Sequence, residues 1–338
     1  MECCILEINM KIAYGTMMTA VMALNSLIIP AGFAVVKTVT SAPVKADNLK
    51  GTITISGAWA LYPMAVKWSE EFKKIHPNVR IDISAGGAGK GMADALAGVV
   101  DVGMVSREVT AGEIKKGAWW VSVTKDAVVP VVSENNPHLK TLLARGVNRD
   151  TFVNIWITEK VATWGQVAGT DDSTAINVYT RSDSCGAAET WAKYLGKTQE
   201  DLAGVGVFGD PGLANAVRKD NLGIGYNNVN FVYDPKTKKA IEGVKILPVD
   251  LNGNGKIDTD EEFYSKREDL LKAIGVGKYP SPPARNLHFV CKARPTKKEV
   301  AMFLKWVLTD GQKFAPDAGY ICLADKKLKA ELKKLDGK

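Results

Sequence analysis

Hydrophobic and polar positions alternate in short blocks along most of the chain. Thr52-Ile53-Thr54-Ile55 has the period of a half-buried strand, and Met64, Trp68, Phe72 and Ile75 recur at helical spacing. Val79 to Ile83 is a second strand, Met92 to Ala97 a helix, and Val99 to Val105 a short buried strand ending in Ser106-Arg107. Val121 to Val132 is strongly apolar and is closed by Asn135-Asn136-Pro137. Beyond it the pattern predicts a strand at Ala175 to Tyr179, a helix carrying Ala187, Ala188, Trp191, Tyr194 and Leu195 on one face, and a helix at Gly212 to Val217. Strands follow at Gly223 to Tyr226, Val244 to Leu247 and Leu287 to Val290, with a helix over 262–274. Strands and helices alternating in this way predict an α/β fold with mainly parallel sheets.

Three strand-to-helix turns carry small residues. The most informative is Thr180-Arg181-Ser182-Asp183-Ser184-Cys185-Gly186-Ala187. Ser182, Asp183 and Ser184 are good N-cap types, and a helix start leaves backbone N–H groups unpaired at the positive end of the helix dipole. That is an anion site, with Arg181 at its lip able to grip an oxyanion through two N–H groups. Pro63 follows Ser56 to Tyr62 at the first position of another helix. Gly86, Gly87, Gly89 and Gly91 form the third turn. It fits neither nucleotide fingerprint. The dinucleotide pattern fails at Met92, and the phosphate-loop pattern fails at Ser84 and at Gly91 after Lys90.

Charge and composition narrow the class. The chain has 338 residues, room for two domains, with 46% hydrophobic and 24% charged residues, as in a soluble globular protein. The net charge of +7 favours small anions. No basic block with interleaved aromatics supports nucleic-acid binding. Residues 1–46 read as a secretory signal peptide, starting at Met1 or Met10, with an apolar run from Ile12 to Ile29 and cleavage after Ala34 or Ala46. An uncleaved anchor is the rival reading of that run.

A second signal is independent of the turns. Asp250, Asn252, Asn254, Lys256 (through its carbonyl), Asp258 and Glu261 fall at the ligand positions of a twelve-residue calcium loop, with Gly255 at the sharp turn. A strand precedes it, so this half-motif suits a structural Ca2+ clip. Cys185, Cys291 and Cys322 lie outside the leader, and the expected disulfide is Cys291–Cys322. Cys185 at a helix N-terminus is a candidate nucleophile with no histidine evidently beside it.

In this order the turns resemble those of the periplasmic phosphate-binding component of high-affinity phosphate ABC transporters. Ser56 to Trp68, Gly87 to Arg107, Arg181 to Ala187, Gly223 to Tyr226 and Gly319 to Leu323 carry the resemblance, which covers most of residues 50–325. It implies a type II periplasmic-binding-protein fold with two lobes. The first is 48–130 plus 284–338, and the second is 131–283. It also implies an anion, foremost phosphate, held between the lobes by the backbone of Ala60, Leu61, Ala88, Gly89, Cys185, Gly186 and Ala187. Arg181 is then the clamp, and Ser106 and Arg107 are further contacts. The implied protein is an exported monomer, not an enzyme, that delivers its ligand to a membrane ABC permease. Cys185 and Ala187 stand where the family usually has serine and threonine, so two hydroxyl donors are missing. Arg107 stands where some members have an aspartate. The alternatives are a secreted enzyme using Cys185 and a calcium-bound adhesion or scaffold protein.

Overall fold

The computed structural model describes residues 48–337. The proposed leader and both of its cleavage points lie outside the described residues. The strands are β1 (Gly51–Gly57), β2 (Val79–Ala85), β3 (Val102–Val105), β4 (Trp119–Ser133), β5 (Asn177–Arg181), β6 (Val205–Val207), β7 (Gly223–Asn228), β8 (Val244–Ile246) and β9 (Ala284–Cys291). The helices of the first half are α1 (Tyr62–Ile75), α2 (Ala88–Ala97), α3 (Ala111–Lys115), α4 (Leu139–Arg145), α5 (Arg149–Trp156) and α6 (Trp164–Ala168). Those of the second half are α7 (Gly186–Leu195), α8 (Gly209–Lys219), α9 (Arg267–Gly275), α10 (Lys298–Val307) and α11 (Asp325–Asp336).

The strands join along one path, β2-β1-β3-β9-β4-β7-β5-β6, with β8 beside β4. β1 pairs with β2 and β3 in parallel, and β5 pairs with β6 and β7 in parallel, as strand–helix–strand units require. β9 and β4 run antiparallel to their neighbours, so the sheet as a whole is mixed. β4 spans both halves. Its first part pairs with β9 from Trp119↔Cys291 to Ala127↔Ala284, with an irregularity between Ser122 and Thr124. Its last part, Val128 to Val132, pairs with β7. A strand buried on both faces reads as the continuous apolar run seen in the sequence.

Two hydrophobic cores form around this path. One is drawn from Leu49 to Val123 and from Leu287 to Leu335, the other from Ala127 to Ala284. In the first, Trp68 meets Phe289 and Phe72 meets Phe303 edge-on at 5.9 and 5.3 Å, and Phe289 lies tilted against Phe303 at 6.0 Å. In the second, Trp191 stacks on Tyr226 at 5.8 Å and meets Phe152 and Trp156 edge-on. Offset and edge contacts of this kind suit the ring quadrupoles.

Three sequence expectations shift. Helix α2 begins at Ala88 rather than Met92, because Gly87 takes φ +91° and turns the chain into the helix directly. The helix after the proposed calcium loop begins at Arg267 rather than Glu262. Phe263 and Tyr264 are instead buried in the second core ahead of it. The Cys291–Cys322 disulfide is absent, and all three cysteines of the described residues are free. Cys291 pairs with Trp119, whereas Ile321, next to Cys322, bridges to Lys125 farther along the same strand. At ~3.4 Å per residue that register holds the two thiols roughly 20 Å apart, far beyond disulfide reach.

Candidate functional site

The three small-residue turns converge. The 3-10 turn Trp59–Leu61 leads into α1, and Ala60 and Leu61 are buried. The start of α2 lies against the segment before α7, where Gly89 N donates to Ser184 O at 3.1 Å. A Cβ on Gly87 would come within 2.7 Å of Ser184 O, and one on Gly89 would collide with the Ser184 side chain. The start of α7 lies against β3, since a Cβ on Gly186 would collide with Ser106 Oγ and its carbonyl. Glycine is required at these close approaches for want of space. Trp59 adds a further link across the cleft, its ring 6.1 Å from that of Phe208 at the start of α8.

Ala88, Gly186 and Ala187 lie in first turns, and Ala60 is in the 3-10 turn, where N–H groups find no acceptor within the helix. Among the described residues the N–H groups of these four make no hydrogen bond. The N–H groups of the other three expected donors are engaged within the chain: Leu61 with Ala58 O at 3.1 Å, Gly89 with Ser184 O, and Cys185 with Gln199 Oε1 at 3.1 Å. Ser106 is buried beside Gly186. Arg107 turns away onto Glu113, with two bonds of 2.7 and 3.0 Å.

Arg181 is not at a lip. Its side chain is fully buried, and each guanidinium nitrogen meets a carboxylate. Nε and Nη2 donate to Asp183 at 2.8 and 2.7 Å, and Nη1 donates to Asp210 at 2.7 Å. Asp210 also accepts from the Asn228 backbone at 3.1 Å and the Asn228 side chain at 2.7 Å. Asn228 in turn accepts from Arg285 Nη2, and Arg285 Nε lies 3.5 Å from Asp126. A chain of buried polar groups thus runs from the α7 turn to the strands β4 and β9. Burial pushes the Asp126 carboxyl up to about 7, with Arg285 offsetting only part of the rise.

Sequence reading missed Asp210, Asn228, Asp126 and Arg285. Only Asp126 carried a signal, a charge in the middle of an apolar strand, which is rare without a partner. Beside this chain a cavity of about 590 Å³ opens between the cores, lined by Arg107, Ser184, Cys185, Lys193, Arg285 and Lys327 among others. A larger one, of about 800 Å³ near Leu143, Ile257 and Tyr264, has none of the anion-turn residues in its wall.

Cys185 caps α7, its sulfur accepting from Ala188 N at 3.4 Å. Burial pushes its thiol up to about 12, Arg181 offsetting only part of the cost, so the helix N-terminus does not yield a thiolate. In the loop 250–261, Asp250 accepts from the N–H groups of Gly253, Asn254 and Gly255 at 2.7 to 3.2 Å. Glu261 accepts from Leu251 and Asp258 N–H at 2.8 and 3.1 Å. Asp258 takes the Asn252 and Asn254 amides and the Lys256 ammonium, which hold its carboxyl down at about 2. Among the described residues no group of three or more His, Cys, Asp or Glu side chains is arranged to hold a metal ion.

A domain model of the PBP superfamily matches residues 42–311, and the chain belongs to that superfamily. The chain is 26% identical over 291 residues to phosphate-binding protein PstS of Staphylococcus epidermidis (strain ATCC 12228 / FDA PCI 1200), covering 84% of this chain and 83% of that one. It is 27% identical over 290 residues to phosphate-binding protein PstS of Bacillus subtilis (strain 168), covering 83% and 84%. Among solved structures, an ABC-type phosphate transport receptor from Vibrio cholerae matches with a TM-score of 0.59 at 20% identity, over 80% of this chain and 100% of that chain. A periplasmic phosphate-binding protein, PfluDING, solved with phosphate bound, matches with a TM-score of 0.64 at 14% identity, over 84% and 93%. The two structures share the two-lobed type II fold with this chain.

The thiol environments give a direct check. An alkylating reagent at pH 8 should modify exposed Cys322 in the native protein and spare buried Cys185 and Cys291, all three reacting after denaturation. Peptide mapping by mass spectrometry reads this out. Rapid native labelling of Cys185 would reinstate it as a reactive thiol.

Proposed function

We propose that this protein captures inorganic phosphate between its two lobes and delivers it to a membrane ABC permease. The packing of the α2 and α7 starts against each other and against β3, with the β1 end hydrogen-bonded to Gly86, carries the reading. Unpaired N–H groups at positive helix ends bind an oxyanion without any lysine or metal. The names of the relatives make phosphate the first candidate among oxyanions. The Gly186 and Ala187 backbone donors remain although Cys185 and Ala187 stand where the family usually has serine and threonine. The lobes follow the two cores, and the protein acts as a monomer. Export by the N-terminal segment fits this role, and among the described residues no helix is long and apolar enough to cross a membrane.

Calorimetric titration of dialysed protein with phosphate, sulfate, molybdate and arsenate tests the assignment. One phosphate per chain should bind, more tightly than sulfate. Heat with another oxyanion and none with phosphate would remove phosphate while leaving an anion receptor.

A separate proposal concerns Ca2+. The loop 250–261 offers three carboxylates, two side-chain amides and the Lys256 carbonyl, the oxygen chemistry of a hard cation, with Gly253 and Gly255 at φ +73° and +77° making the turn. Asp250, Asn252, Asn254, Lys256, Asp258 and Glu261 would hold the ion as a structural clip of the second lobe. Binding at ~10⁻⁴–10⁻³ M, as in extracellular modules, would raise the melting temperature in millimolar calcium by mass action. Glu261→Gln should abolish that rise and leave phosphate affinity unchanged. Equal calcium shifts in both proteins would exclude this loop.

A further inference from the structure

Two guanidinium groups lie on the buried polar chain, and they are paired very differently. Arg181 has a carboxylate on every nitrogen. Arg285 is 9% exposed and donates only through Nη2, to Asn228 Oδ1. Its Nε and Nη1 are shielded from solvent and make no hydrogen bond, and neither does the facing Asp126 Oδ1. The 3.5 Å approach of Nε to Asp126 is a charge contact without hydrogen-bond geometry. Buried donors on a cation are costly to leave unmade, and native proteins rarely do so. The missing partner is therefore one that the chain does not supply.

The surroundings say what that partner is. Arg285 shares the wall of the 590 Å³ cavity with Ser184 and Cys185, at the start of α7. Through Asn228 and Asp210 it is joined to Arg181. On the other side Asp126 of β4 is its register partner, and Arg285 thus lies beside the third anion turn. Among the described residues its one ion-pair partner is Asp126, whose charge burial disfavours.

We propose that Arg285 is a second guanidinium of the anion site, donating through Nε and Nη1 to the bound oxyanion. The inference rests on the oxyanion reading above. The test combines calorimetry with the arginine Nε–Hε region of a ¹⁵N-correlated NMR spectrum. Arg285→Lys keeps the charge and loses the fork, so phosphate affinity should fall at least about tenfold. The anion-free melting temperature should change little, which a purely structural role would not allow. In the wild type, the Nε–Hε signal that disappears in Arg285→Lys should shift as phosphate is added. A dissociation constant within about twofold of wild type and an unmoved signal would overturn the proposal and leave ordered water as the partner. If Arg285→Lys fails to fold, Arg285→Gln identifies the signal. If wild-type protein gives no heat with phosphate, the phosphate reading fails by itself. The same signal is then followed with sulfate and molybdate, and immobility with all three overturns the role of Arg285.

Discussion

The ion triad of Asp183, Arg181 and Asp210 is the interaction on which the site depends. It joins the end of β5, the turn before α7 and the start of α8 with three bonds of 2.7 to 2.8 Å, all buried. Gly209 N also donates to Asp183 Oδ1 at 3.1 Å, so α8 is tied to the turn by backbone as well as side chain. A buried group of this kind does little for net stability against an apolar replacement, but losing one member costs ~3–5 kcal/mol because the others remain charged and unpaired. Its worth lies in specificity. It sets the path from Arg181 to Cys185, and that path leads into the first turn of α7 at Gly186 and Ala187.

The crossing strands make the second constraint. β4 contributes to both cores, and Asp126 and Arg285 face each other where it runs beside β9. The polar chain from Asp183 to Asp126 therefore connects the anion turns to the only elements on the main strand path that join the cores, β4 and β9. On the opposite side the contacts include Trp59 with Phe208, Gly87 and Gly89 with Ser184, Gly186 with Ser106, and an exposed Lys193–Glu108 pair at 2.6 Å.

Much of this was legible from local chemistry. Turns at Gly87 and at Ser182 to Gly186 announce themselves because glycine and N-cap residues have few other uses between a strand and a helix. Period-two and period-3.6 patterns located the elements flanking them. The burial of Arg181 was not legible, because Asp210 is far along the chain and sits in an ordinary helix start, Gly209-Asp210-Pro211. Asp126 was visible as an odd charge, but its partner Arg285 comes from a strand whose register no local pattern encodes. The cysteine pairing failed for the same reason. Cys291 lies in the first core, whereas Cys322 is exposed beside Ile321, which packs on the second core, and the two reach β4 at different heights. Helix α9 starts late because tertiary burial of Phe263 and Tyr264 overrode a helical pattern that propensity alone would extend.

The proposed capture of phosphate rests on backbone N–H groups at the helix starts of both cores. Amide-resolved hydrogen exchange with and without saturating phosphate tests it most directly. The account predicts added protection at Ala60, Ala88, Gly186 and Ala187 together, with little change around the loop 250–261. Protection confined to one core, or absent from the α7 start, would contradict it.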